Sequence, residues 1–121
     1  MAGVISLNAF LRVNNSIDNT FYFNKTNIVQ TVLGGGGPGT IEIGTAEEDI
    51  VTEVSSEGWC WIQNADATNT VLYGPKSAGA MVTFGLLKPG EGHPFRLSPG
   101  VVIRAKSNVA ACKVQIAIFE D

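Results

Sequence analysis

Apolar and polar residues alternate along much of this chain with a period of two. Starting at Ile5, the residues Ile5, Leu7, Ala9, Leu11 and Val13 are separated by Ser6, Asn8, Phe10 and Arg12. Successive side chains of a strand point to opposite sides, so the spacing predicts a half-buried first strand with one wholly apolar side. The C-terminal stretch repeats the pattern, with Cys112, Val114, Ile116 and Ile118 on one side and Lys113, Gln115, Ala117 and Phe119 on the other. Cys112 therefore reads as a member of an aliphatic core. Helical patterning is nearly absent: no long segment places apolar residues at i, i+3, i+4 and i+7, and poor helix formers abound.

Between the two ends, turn chemistry divides the chain into short pieces. The pattern predicts strands near residues 20–24, 28–33, 41–43, 49–54, 81–87, 94–97 and 101–106, and a pair within 58–74. That pair is joined by Asn64-Ala65-Asp66-Ala67-Thr68-Asn69, whose Asn and Asp side chains can bond local backbone in a tight reversal. Pro89-Gly90 and Pro99-Gly100 fit the two central positions of type II turns. Gly34, Gly35, Gly36 and Gly37, followed by Pro38 and Gly39, read as a loop of high chain entropy. About nine short strands at turn spacings of about 8–12 residues predict an all-β fold, an antiparallel sandwich or barrel.

Composition narrows the class without naming a chemistry. The 121 residues suit one domain, 1–121, with 1–40 as an N-terminal strand and arm region. Hydrophobic residues make up 45% and charged residues 16%, which argues against disorder, and no apolar run reaches the about 18 residues of a membrane helix. The N-terminus lacks the pattern of a secretory signal, so folding in a cytoplasm with Cys60 and Cys112 reduced is the expectation. The net charge of −3 is uneven: residues 1–60 carry two bases against seven acids, and residues 61–121 six bases against four acids. Neither half has the clustered Lys and Arg of a nucleic-acid footprint.

The candidate sites are few. In Gly58-Trp59-Cys60-Trp61-Ile62, strand geometry puts Trp59 and Trp61 on one side and Cys60 and Ile62 on the other, so both sides are apolar. Such a strand is expected to be covered twice, by an opposing sheet and by a loop or neighbouring subunit. A stacking platform for glycans at Trp59 and Trp61 is the alternative, with Gln63 as the polar neighbour. His93 is the single histidine, in a Glu-Gly-His-Pro turn, and reads as a surface residue; no CxxC pair exists and no metal or cofactor is expected. Glu47-Glu48-Asp49 lacks the spacing of a calcium loop and reads as a solvated turn. The glycine run lacks the Lys-Ser/Thr and the helix of a phosphate loop, and no Gly-x-Ser-x-Gly elbow is present, so no enzyme is expected.

Several of these segments together resemble small virion proteins encoded by tailed phages. They are Asp49-Ile50-Val51-Thr52-Glu53, Gly58-Trp59-Cys60-Trp61-Ile62-Gln63 with the turn through Asn69, Leu87-Lys88-Pro89-Gly90-Glu91, and Phe95-Arg96-Leu97-Ser98-Pro99-Gly100. The resemblance covers residues 47–121. It implies a jelly-roll-like β-sandwich in a capsid decoration (cement) protein or another minor head or tail component, bound to the major capsid protein lattice or other virion proteins in the particle. A homo-oligomer, such as a trimer, is expected. Contacts are expected from the N-terminal strand, with Phe10 and Arg12, and from Gly34 to Gly37.

Overall fold

A computed structural model describes residues 3–13, 21–32, 34–52 and 54–121. Every regular element among them is a β-strand, and the chain divides into two compact units, Met1–Val32 and Leu33–Asp121. The first unit is an antiparallel pair, β1 (Gly3–Val13) with β2 (Phe21–Val32). Ile5 and Leu7 are half-buried while Val4, Ser6 and Asn8 are exposed, as the alternation predicts. The pattern lapses past a register irregularity between Leu7 and Ala9, where Ala9, Phe10 and Leu11 are all exposed. The turn expected at residues 14–19 lies outside the described residues, and β2 is one strand where two were expected.

The second unit is a two-layer sandwich built from β3 (Gly34–Ile43), β4 (Glu48–Asp49), β5 (Glu57–Asn64), β6 (Val71–Ser77), β7 (Ala80–Met81), β8 (Gly85–Leu87), β9 (Gly92–Arg96), β10 (Ile103–Ser107) and β11 (Cys112–Glu120). One sheet runs β3-β11-β5-β9; the other runs β4-β10-β6, with β7 and β8 both on the far side of β6. All pairings are antiparallel. The nested pairs β3 with β11, β4 with β10, β5 with β9 and β6 with β8 alternate between the sheets. That winding is a jelly roll, in which sequentially distant strands become neighbours.

The glycine run is an edge strand and not the expected loop. Gly34 and Gly35 lie opposite Glu120 and Phe119, and Pro38 lies opposite Ala117. The ladder to β11 offsets the entropy that glycine loses on ordering, and Pro38 is tolerated because an edge strand needs donors on one side only. The segment expected as a strand at 49–54 is cut to the two residues of β4.

Burial follows the period of two where it matters most. Cys60, Ile62 and Asn64 on β5 and Cys112, Val114, Ile116 and Ile118 on β11 are buried, and they meet Val71 and Tyr73 on β6 and Ile103 and Ala105 on β10 in one core. Each fully buried aliphatic side chain contributes about 1.5–3 kcal/mol relative to exposure. Turns then hold the strands in register. Gly90 and Gly100 carry positive φ of 82° and 84°, and Glu91 and Val101 donate their N–H groups to the Lys88 and Ser98 carbonyls, as type II turns require. Between β6 and β7, Ala78 and Gly79 both have positive φ, which is the type I′ reversal that suits strand twist. Past it the chain crosses so close to Gly74 that a Cβ there would lie 1.9 Å from the Val82 carbonyl oxygen.

Asn64 ends β5 fully buried and fully bonded. Its Nδ2 donates to the Asn69 carbonyl at 2.8 Å and the Leu87 carbonyl at 2.9 Å, and its Oδ1 accepts from the Asp66 N–H at 2.9 Å. Asp66 continues the turn by accepting from the Thr68 and Asn69 N–H groups. On the other sheet, Arg104 donates from Nε to Asp49 and from Nη1 to Glu47, each at 2.5 Å, and Lys76 adds a contact to Asp49 at 3.2 Å. The Met81 N–H, ahead of the Arg104 guanidinium, holds the Glu47 carboxyl below its ordinary 4.5, and Arg104 with Lys76 holds Asp49 below its ordinary 3.8.

Two outcomes follow from these contacts. Asn64→Ala leaves the buried Leu87 carbonyl and two part-buried groups of the turn without their partner, and urea unfolding is expected to show a loss of about 1–3 kcal/mol. Because folding depresses the Glu47 and Asp49 values, their contribution is complete above 4.5 and 3.8 and is lost as pH falls through the lower folded-state values. Calorimetry from pH 7 downward is expected to show the melting temperature falling in that acid range, and falling less in Arg104→Met.

Candidate interaction surface

The alternation that buries Cys60 and Ile62 turns Trp59, Trp61 and Gln63 onto the outer side of the sheet β3-β11-β5-β9. Register then supplies their neighbours. Trp61 lies between Ala117 on β11 and Pro94 on β9, Trp59 is opposite Arg96, and Gln63 is opposite Gln115 and Gly92. Trp61 remains 39% exposed, so the cover expected over the tryptophan side is not provided by the described residues of this chain. Trp59 is half-buried, with the Arg96 guanidinium carbon 5.9 Å from its ring centroid. The Trp61 indole N–H donates to Gln63 Oε1 at 3.2 Å. Arg96 also reaches the Asp121 carboxylate.

The surface is therefore an apolar strip of Trp61, Pro94 and Ala117 with a cationic and amide border. A guanidinium over an indole is worth about 0.5–1 kcal/mol at an exposed site and holds Trp59 in place. Pro94, Arg96 and Ala117 were not legible as site residues in sequence, since only the ladder register puts them beside Trp61. The other expected contact residues are distributed differently. Gly34 to Gly37 run in β3, on the far side of β11 from β5, and Phe10 and Arg12 lie on β1 in the first unit. Phe10 is 72% exposed, and the Arg12 side chain is outside the described residues.

His93 departs from expectation. It sits in β9 opposite Ile62 and faces inward, not at the surface of a turn. Its Nδ1 is 3.0 Å from the Pro94 carbonyl, which can only accept, so Nδ1 is the donor there, and Nε2 is hydrogen-bonded to the Tyr73 hydroxyl at 2.6 Å. Tyr73 stands on the opposite sheet, so the bond ties the two layers, and Gly85 leaves room for the Tyr73 ring. Glu48 and Asp49 stay exposed as expected of them but form β4 in place of a turn, and Glu47 and Asp49 both pair with Arg104. No group of three metal-capable side chains comes together among the described residues.

A cavity of about 250 Å³ opens between the sheets, lined mainly by Ile50, Val54, Leu97, Val101, Ile103 and Ile118. Glu57 at its wall already accepts the Gly100 N–H at 2.9 Å. Both thiols are buried and unbridged. Burial pushes Cys60 up to about 12 and raises Cys112 as well, so neither is a nucleophile at neutral pH.

The class defined by this geometry is a small all-β jelly-roll sandwich with an aromatic outer sheet face. No protein-family profile, curated protein or solved structure matches the chain significantly.

The thiols give a direct check on the packing. At neutral pH a thiol-selective alkylating reagent is expected to leave Cys60 and Cys112 unmodified in the folded protein and to label both in denaturant. Mass spectrometry reads the difference.

Proposed function

We propose that this chain is a non-enzymatic structural protein of a tailed-phage virion: a capsid decoration protein that binds the major capsid protein lattice and stabilises the head shell. It works there as a symmetric homo-oligomer, assembled in the host cytoplasm and carried in the particle. The observation that carries the reading is β5, which is apolar on both sides while the sandwich covers only one, leaving Trp61 39% exposed beside Pro94 and Ala117. Aromatic side chains at the centre of an apolar strip with a polar border are the usual anchors of a protein contact. On a repeating lattice, modest contacts add through avidity. The resemblance of residues 47–121 to small phage virion proteins points the same way.

A glycan-binding module is the second reading, favoured by the exposure of Trp61 next to Gln63. Against it, Arg96 occupies a face of Trp59, and the Trp61 N–H is already committed.

Co-sedimentation with purified, undecorated phage head shells separates the two. Binding at a fixed ratio to the shell subunits, with a raised melting temperature of the shell and roughly tenfold weaker binding for Trp61→Ala, is the expected result. Absence of binding, together with a shift of tryptophan emission on titration with oligosaccharides, rejects the decoration role in favour of the glycan module.

A further inference from the structure

Protein interiors are close-packed, and an empty apolar space inside one is destabilising in proportion to its volume. The cavity of about 250 Å³ between the sheets is such a space, and it opens because β4 is short. After Asp49 the chain makes one more bond to β10, from the Ile50 N–H to the Ile103 carbonyl at 2.8 Å, and none of the described residues before Glu57 lies in a strand. The gap that a longer strand would close is lined by Ile50, Val54, Leu97, Val101, Ile103 and Ile118.

The polar border of this cavity is anionic. Ile118 and Glu120 alternate onto one side of β11, and Glu57, directly opposite Glu120 past a register irregularity, shares that side. Two carboxylates thus meet at the end of the core beside Ile118. Glu57 lines the cavity and uses Oε2 to accept the Gly100 N–H, while Glu120 accepts from the Ser55 hydroxyl. Neither pairs with Lys or Arg among the described residues, whereas the Asp49 carboxylate, also at the wall, is taken by Arg104 and Lys76. Like charges directly opposite on a ladder repel, and a cation beside them removes the repulsion.

We propose that the cavity binds a small aliphatic amine, its hydrocarbon body packed against the isoleucines and valines and its ammonium group on Glu57 Oε1. Apolar cavities of about 150 Å³ take up benzene, so 250 Å³ holds a ligand of about six to ten heavy atoms. An alcohol of the same length gains the burial without the ion pair, and a carboxylate meets Glu57 with like charge. The inference stands on the cavity alone and holds whether or not the sandwich binds a shell.

The full chain, labelled at its Ile, Leu and Val methyl groups, is titrated at neutral pH with hexylamine, hexanol and hexanoate and followed by NMR, alongside Glu57→Gln. Saturable shifts centred on the methyls of Ile50, Leu97, Ile103 and Ile118 are expected, with hexylamine about tenfold tighter than hexanol and hexanoate the weakest. Glu57→Gln keeps an oxygen for the Gly100 N–H and is expected to bring hexylamine down to the affinity of hexanol. Shifts that do not saturate or that lie away from the cavity overturn the proposal, as do hexanoate binding as tightly as hexylamine and a preference for the amine that survives in Glu57→Gln.

Discussion

A strand presents two sides, and β5 is apolar on both. The opposing sheet can cover only one, so the placement of Cys60, Ile62 and Asn64 against the core forces Trp59, Trp61 and Gln63 outward. Much of the sandwich depends on that choice. A slip of one residue would bring two indoles into a layer sized for a thiol and an isoleucine, and would expose Asn64 and break its three hydrogen bonds. The jelly-roll winding locks the choice, because β5 is held between β11 and β9 and cannot shift against one without breaking the other.

The polar groups inside are placed where the strands would otherwise drift. Asn64 ties the end of β5 to β8 through the Leu87 carbonyl, and Tyr73 with His93 spans the two layers. Both are satisfied pairs in a nonpolar setting, where an unmade bond is costly and a made one specifies a single arrangement. Cys60 and Cys112 act as small apolar residues, with burial holding their protons on. Outside the core, Arg104 fastens β4 to β10 through Asp49, and its bond to the Gly79 carbonyl adds the β6–β7 turn.

Prolines, charges and short strands close the edges of the sandwich: Pro38 lies in β3, Pro94 and Arg96 lie in β9, and β4 is two acidic residues. The outer face of the sheet that holds β5 carries instead an aromatic strip framed by Arg96 and Gln63.

The sequence by itself determined what depends on neighbours along the chain. The period of two set which side of β11 is buried and grouped Trp59 with Trp61 and Cys60 with Ile62 on β5, the two Pro-Gly pairs and the Asn64–Asn69 run set turns, and the scarcity of helical spacing set the all-β class. An antiparallel sandwich or barrel was legible from that much, with eleven strands among the described residues where about nine were expected, and the jelly-roll winding was implied only by the resemblance. Only tertiary structure decided what depends on residues far apart in sequence. The glycines at 34–37 became a strand because β11 lay alongside them, a partner that local entropy does not reveal. His93 turned inward because Tyr73, twenty positions earlier, reached it from the other layer. The apolar strip around Trp61 exists because antiparallel register brought Pro94 and Ala117 beside it, and register is set by packing between strands, not by the composition of any one of them.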